Sequence, residues 1–406
     1  MLSFLLLPLR VEEQTLTLIP KTRPVHGFSH IPDYDILFWV RTSHHGSQWQ
    51  PAEQIIWQGD CMKPRTIAWS IAIIIILAAL GVAFTQSRTV EPVSDSRFLM
   101  GTLVEIRIFG SQRELNAAFE YLQRLDDKMS RTLASSEVFE INRQAGREWV
   151  SVSSDTFQVI EAALHYAELT DGVFDPTIAP LVDLWGIGTD KAQVPETRAL
   201  RAAQALIDYR AIELDAKDNQ VKLANPGMGL DLGGIAKGYA ADAVADFLKS
   251  KGIKSGFLSL GGNIYVIGSK PDGSPWRIGI QNPFAPRGNH TAVLEVKDTS
   301  IVTSGPYERY FIQDNQRYHH ILDPTTGFPV ENGLASVTIV TPCSMTADAL
   351  STGVFLLGLE RGLALLEKLD GIEGILITND RQVYVTGGLW PQLKSLAKGF
   401  ELHDEE

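Results

Sequence analysis

The chain has 406 residues, 44% hydrophobic and 21% charged, an ordinary globular balance with ample apolar material for a large core. Its net charge is −12, and residues 88–406 carry all of it, with 30 basic against 42 acidic side chains. That excess of carboxylates argues against nucleic acid as the main partner, and it makes a divalent cation more necessary if the substrate is an anionic nucleotide.

Residues 1–61 show no periodicity that can be placed. They are read as an N-terminal extension upstream of a misassigned start and stand outside the fold argument. The segment 62–87 reads as a signal peptide or signal anchor. Met62-Lys63-Pro64-Arg65 supplies an initiator and a basic region, and residues 67–84 form an apolar run with no charged residue, near the lower limit for a membrane span. A buried core helix is the alternative, but the isoleucine run has no polar face. Lys63 and Arg65 before the run imply that the rest of the chain faces outward, on the periplasmic or another extracytoplasmic side. Ala83-Phe84-Thr85 is a poor cleavage site, so cleavage and anchoring both stay open. The only cysteines, Cys61 and Cys343, flank the run, which leaves no disulfide and no cysteine-built zinc site within the outward domain.

Residues 88–406 contain no long linker, repeat or low-complexity tract. Helical periodicity is expected at 114–128, 154–169, 197–208, 239–249, 347–357 and 361–369. Alternating or β-branched runs predict strands at 103–108, 256–259, 264–267, 276–281, 292–296, 337–340 and 374–377. Strands joined by short hairpin-like breaks, with helices between them, predict an α+β fold with largely antiparallel sheets and packed helices.

Several runs carry chemistry. Met100 in Arg97-Phe98-Leu99-Met100-Gly101-Thr102 could pack on a flat ring, or simply be a core methionine. Asp171-Gly172-Val173-Phe174-Asp175-Pro176-Thr177 sets an aromatic and a carboxylate on a turn. Asp231-Leu232-Gly233-Gly234-Ile235-Ala236-Lys237-Gly238-Tyr239 opens an alanine-rich helix. Its paired glycines permit close backbone approach, and a helix start with a lysine attracts phosphate. A plain capping turn is the competing reading, and the spacing is not that of a phosphate-binding Walker loop. Gly261-Gly262-Asn263 is a second strand-to-glycine break. His319-His320-Ile321-Leu322-Asp323-Pro324-Thr325-Thr326-Gly327 places an imidazole before a Pro/Gly turn. In Thr346-Ala347-Asp348-Ala349-Leu350-Ser351-Thr352, Asp348 and Thr352 stand at i and i+4 on one helical face. A carboxylate and a hydroxyl so placed are hard oxygen donors of the kind Mg²⁺ takes while keeping substrate phosphate oxygens. A histidine near such a site is what phosphoryl-type transfer needs as a base.

In this order the runs resemble the ApbE family, the FAD:protein FMN transferases, and the resemblance extends from about residue 97 to residue 389. It implies a T-fold-related α+β catalytic domain over 88–406 that carries FAD in a cleft, uses Mg²⁺ at the diphosphate and transfers FMN to a threonine of an acceptor flavoprotein, releasing AMP. The acceptor expected from the family is a respiratory redox-pump-type subunit. By motif matching, Asp348 and Thr352 would hold the metal together with the Gly234 carbonyl. Met100, Val173, Phe174, Asp175, Asp231, Lys237, His320 and Ile321 would line the FAD site, and His320 would also be the base. Two departures stand out. The family's Met-Ser-Thr-Tyr-like run reads Met129-Ser130-Arg131-Thr132 here, without the aromatic, and no lipoprotein cysteine follows the apolar run. A metal-dependent FAD pyrophosphatase and a non-catalytic flavin-binding protein are the alternatives, and a base that storage would not need disfavours the second.

Overall fold

The computed structural model describes residues 91–403 throughout and, before them, five short strands. The chain divides into two compact units, Met1–Thr89 and Val90–Glu406. In the first, β1 (Leu9–Val11) pairs with β2 (Gln14–Leu16), and β3 (Ile19–Lys21), β4 (Leu37–Arg41) and β5 (Trp49–Pro51) form an antiparallel sheet. Residues 67–84, expected as a membrane or signal segment, lie outside the described residues. Among those described, no helix is long and apolar enough to cross a membrane.

The second unit begins with the hairpin β6 (Val93–Leu99) and β7 (Thr102–Ile108), then helices α1 (Gln112–Met129) and α2 (Glu137–Arg143). Next come β8 (Val150–Ser151), α3 (Ser154–Leu169), α4 (Ala179–Trp185), α5 (Thr197–Gln204), β9 (Ile212–Asp215) and β10 (Gln220–Leu223). Helix α6 (Ala236–Ser250) leads into β11 (Ser255–Leu260), β12 (Asn263–Gly268), β13 (Trp276–Gln281), β14 (His290–Val296) and β15 (Thr299–Ser304). The hairpin β16 (Tyr310–Gln313) and β17 (Gln316–His319) precedes β18 (Leu334–Thr341), α7 (Ser344–Leu357) and α8 (Leu359–Leu366). The unit closes with β19 (Glu373–Thr378), β20 (Gln382–Val385), β21 (Leu393–Leu396) and β22 (Glu401–His403).

A nine-stranded sheet, ordered β22-β20-β19-β18-β15-β12-β11-β7-β6, is the backbone of this unit. Every neighbouring pair is antiparallel except β20 with β22. This is the expected α+β, largely antiparallel architecture. The sheet is covered on both faces. Val104, Ile106 and Ile108 of β7 meet Leu115, Phe119 and Leu122 of α1 in the larger core, whereas Ile375 and Ile377 of β19 face Ile278 and Leu294 of the β13-β14-β21 sheet. Double coverage explains why β18 is buried along its whole length and reads as an apolar run.

The clear periodic segments form where expected, with ends that shift by a few residues. Helix α5 is the largest shift, stopping at Gln204 and not at 208, because the Asp208 amide is drawn to the Thr177 hydroxyl at 3.0 Å. The central strand β15, Thr-Ser-Ile-Val-Thr-Ser, gave no alternation to read. Its hydroxyls are satisfied inside the protein: Ser300 Oγ donates to the Ile264 carbonyl (3.0 Å), and the Thr303 and Thr338 hydroxyls pair at 2.8 Å.

Candidate active site

Two tight turns at one end of the sheet form a wall of the site. Met100 and Gly101 join β6 to β7 with left-handed φ angles of 51° and 67°, and Gly261-Gly262 join β11 to β12 at 64° and 99°. Two-residue turns of this hand suit the twist of a hairpin and normally recruit glycine or asparagine. A methionine held there is strained, and its amide is fixed by Asp126 Oδ2 at 2.7 Å. The turns lie side by side: Gly261 N donates to the Leu103 carbonyl (3.1 Å), and a Cβ on Gly261 would lie 2.9 Å from Thr102 Cβ and closer still to its hydroxyl. That position therefore needs glycine.

The loop after α3 brings in the second group. Asp171 and Gly172 leave the helix with φ of 55° and 80°, and Thr170 Oγ1 accepts the Phe174 amide at 3.2 Å. The Phe174 ring packs against backbone at two glycines, since a Cβ on Gly234 would lie 3.0 Å from the ring and one on Gly353 would lie 3.7 Å from Phe174 Cβ. Asp175 lines the site, but its oxygens are taken up by structure: they accept from Thr177 N (2.7 Å) and Oγ1 (2.6 Å) of the same loop and from Tyr209 N (3.0 Å) before β9. Burial outweighs these donors and raises its pKa.

The third group joins α6 to α7. Asp231 Oδ1 accepts the Gly233 amide (2.8 Å), and Oδ2 pairs with Arg131 Nε (2.8 Å). Arg131 also binds Asp183, and although burial works against its charge, the two carboxylates raise its pKa further. Where the family pattern puts an aromatic near the Met-Ser pair, this chain uses a guanidinium to lock the Asp231 loop. Asp348 is only 3% exposed. Its carboxylate receives Lys237 Nζ at 3.2 and 3.3 Å and the Gly238 amide at 2.9 Å, while Lys237 also donates to the Gly233 carbonyl at 2.6 Å. Thr352 Oγ1 lies 3.3 Å from Ser304 Oγ and 3.7 Å from where a Gly234 Cβ would stand. The Asp348 carboxylate and the Gly233 carbonyl meet at Lys237, and the Ser304 and Thr352 hydroxyls pair beside them, so hard oxygen donors gather here. Among the described residues, no cluster of three or more His, Cys, Asp or Glu side chains is placed to hold a metal, so a cation here would rely on these mixed oxygens and on its substrate.

The adjacent histidines divide their roles. His319 is buried and doubly used: Nε2 donates to the Val330 carbonyl (3.0 Å), and Nδ1 accepts the Ile321 amide (3.3 Å). His320 is half-buried in the cleft, and both its backbone amide (3.1 Å) and Nδ1 (3.2 Å) meet the Arg309 carbonyl. A carbonyl only accepts, so Nδ1 carries the proton and Nε2 keeps the lone pair. Burial first, and then the Arg309 charge, push the His320 pKa down to about 3, so the ring is neutral at ordinary pH. The turn behind it is structural. Gly327 N closes on the Asp323 carbonyl (2.8 Å), and Trp185 Nε1 donates to the Gly327 carbonyl at 2.8 Å.

The residues expected to hold the metal or line the flavin site all border one cleft of about 350 Å³, from Met100 and the Val173–Asp175 loop through Asp231, Gly234 and Lys237 to His320, Ile321, Asp348 and Thr352. The cleft also takes in Arg287, Ser304, Glu308, Arg309 and Trp185, which carried no local signal in the sequence. Ser304 ends β15, Glu308 and Arg309 lead into the hairpin after it, Arg287 comes from the β13–β14 connection and Trp185 from the end of α4, so only the packing of distant segments gathers them.

Comparison with known proteins agrees with this geometry. The ApbE family model matches residues 100–376. A FAD:protein FMN transferase of Treponema pallidum is 36% identical over 361 residues, covering 84% of this chain and 99% of that protein. Among solved structures, the ApbE protein of Thermotoga maritima superposes with a TM-score of 0.69 at 33% identity, covering 75% of this chain and all of that one. The flavin transferase ApbE of Vibrio cholerae gives 0.68 at 34% identity, covering 74% and 99%. Fold and cleft together therefore define an enzyme of the flavin-transferase class. The chain belongs to the ApbE family.

Proposed function

We propose that the protein moves the FMN half of FAD onto a threonine hydroxyl of an acceptor flavoprotein, releasing AMP, with Mg²⁺ held by Asp348, Thr352 and the Gly234 carbonyl. The observation that carries this reading is the neutral His320, its Nδ1 proton committed to the Arg309 carbonyl, in the same cleft as the buried Asp348 cluster.

The chemistry follows from these groups. His320 Nε2 takes the threonine proton, since a hydroxyl is a poor nucleophile until a base removes it. The oxygen then attacks the FMN-side phosphorus, the bond from that phosphorus to the bridging oxygen breaks, and AMP leaves with that oxygen. A bound Mg²⁺ would offset charge on the diphosphate. The donor set suits a small hard cation: the Lys237 ammonium already rests between Asp348 and the Gly233 carbonyl, so the pocket tolerates positive charge there. Phe174 and the strained Met100 turn would offer apolar surface to the flavin ring. Asp175, tied to Thr177 and the Tyr209 amide, and Asp231, tied to Gly233 and Arg131, would act by holding backbone in place.

The segment 62–87 would carry the domain to the periplasmic or another extracytoplasmic side, where the acceptor, by family resemblance a redox-pump-type subunit, would meet it. Incubation with FAD, Mg²⁺ and a candidate acceptor domain, followed by intact mass, tests the proposal. A mass gain of one FMN on the acceptor is expected. FMN and AMP released without acceptor would mark a hydrolase, and binding without either product a storage protein.

A further inference from the structure

The charges lining the cleft almost cancel in pairs. Asp231 is matched by Arg131 at 2.8 Å, Asp348 by Lys237 at 3.2 Å and Glu308 by Arg287 at 2.5 Å. Asp175 is enclosed by neutral donors, Thr177 of its own loop and the Tyr209 amide before β9. Among the described residues, Arg309 is the one charged side chain of the cleft with neither an ion pair nor a side-chain hydrogen bond. Its stem lies against the loop after α4, where a Cβ on Gly188 would stand 3.5 Å from Arg309 Cδ. Its own carbonyl is the group that fixes His320.

We infer that the Arg309 guanidinium is the anion receptor of this cleft, binding the substrate's diphosphate directly and seating it beside His320. The inference rests on the flavin-transfer reading and extends it to a residue with no local motif. The physical ground is that an arriving anion must displace an existing partner from Lys237 or Arg287, but not from Arg309. A guanidinium can give a diphosphate two parallel N–H donors. Because its carbonyl and its side chain serve the two reactants, one residue sets the distance between the base and the bond to be broken.

The test is equilibrium binding of FAD, FMN and riboflavin to the full chain with Mg²⁺, for wild type, Arg309→Gln, Arg309→Lys and Arg287→Gln, with thermal melts to confirm folding. Arg309→Gln should weaken FAD about tenfold or more, the scale of one charge-assisted contact, and leave riboflavin, which has no phosphate, within about twofold. Arg309→Lys should recover part of the loss, and Arg287→Gln should cost less than Arg309→Gln. Equal losses for FAD and riboflavin would reveal a merely structural role, and no loss for either would overturn the inference outright. Wild-type protein that binds FAD through Arg309 yet never modifies an acceptor sinks the transfer reading and leaves this one standing. Wild-type protein that does not bind FAD sinks both.

Discussion

Asp348→Ala tests both the site and the way α6 and α7 are joined. The carboxylate lies almost wholly out of solvent and holds Lys237 Nζ at 3.2 Å and the Gly238 amide at 2.9 Å. Alanine strands a partly buried ammonium and a backbone donor together, and breaking a buried pair in this way costs about 3–5 kcal/mol. At roughly 2 °C per kcal/mol for a domain of this size, Tm should fall by about 6–10 °C. Asp348→Asn keeps an acceptor for Gly238 and loses only the charge, so its Tm should fall by less than half as much. Flavinylation should collapse in both variants, because an amide oxygen is a weak ligand for a hard divalent cation. Differential scanning fluorimetry alongside acceptor mass spectrometry across a Mg²⁺ titration separates the effects. An alanine variant that melts within about 2 °C of wild type would refute the tie between the helices. An asparagine variant with wild-type Mg²⁺ dependence would refute the metal role. Thr352→Ala, which removes a neutral donor, should be milder.

His320→Asn should still bind FAD but lose roughly 10²–10⁴-fold in transfer, the usual range for a general base, and wild-type flavinylation in that variant would remove His320 from the mechanism. Burial and Arg309 hold the His320 pKa near 3, so kcat/KM for FAD should show no acid limb near the ordinary histidine value, and a limb centred at about 6.5 would contradict the placement. The sign for stability follows. Between about pH 3 and 6.5 the native ring binds fewer protons than the unfolded one, so the stability from His320, complete above that window, should be lost as pH falls through it in denaturant titrations. Gly238→Ala would set a methyl 2.7 Å from Met345 Cα and closer to the Ser344 carbonyl, a backbone clash that should cost about 1–3 kcal/mol or more; Gly387→Ala, with open space around it, should be nearly silent in the same melts. A reporter fused after Arg88 should lie outside the cytoplasm, and a chain starting at Met62 should be exported and active. Loss of activity without loss of expression on deleting residues 1–61 would overturn that reading of the segment.

Much of the scaffold was legible because its signals are local. Helix α1 announces itself through an apolar stripe from Leu115 to Met129, and β13 through alternation of Trp276, Ile278 and Ile280. Helix α4 was missed because it is one short, proline-started segment whose packing on α5 and Leu322 makes it helical. Strand β15 was missed because its serines and threonines find partners only in β18, β12 and α7.

The same division runs through the site. Sequence order alone brought out the family and the part of the cleft lining that belongs to motifs, because glycine turns, the i, i+4 pair and the histidine run are written in contiguous stretches of chain. It could not say which histidine is free: His319 and His320 are chemically identical neighbours, and only the Val330, Ile321 and Arg309 backbone groups around them assign one to the core and one to the cleft. Nor could it show that Asp175 holds the Tyr209 amide and Asp231 the Arg131 guanidinium, that Lys237 rests on Asp348, or that Arg309 is left without a counter-ion. Charge pairing depends on distances between segments far apart in the chain, and those distances exist only once β15, α6 and α7 have packed.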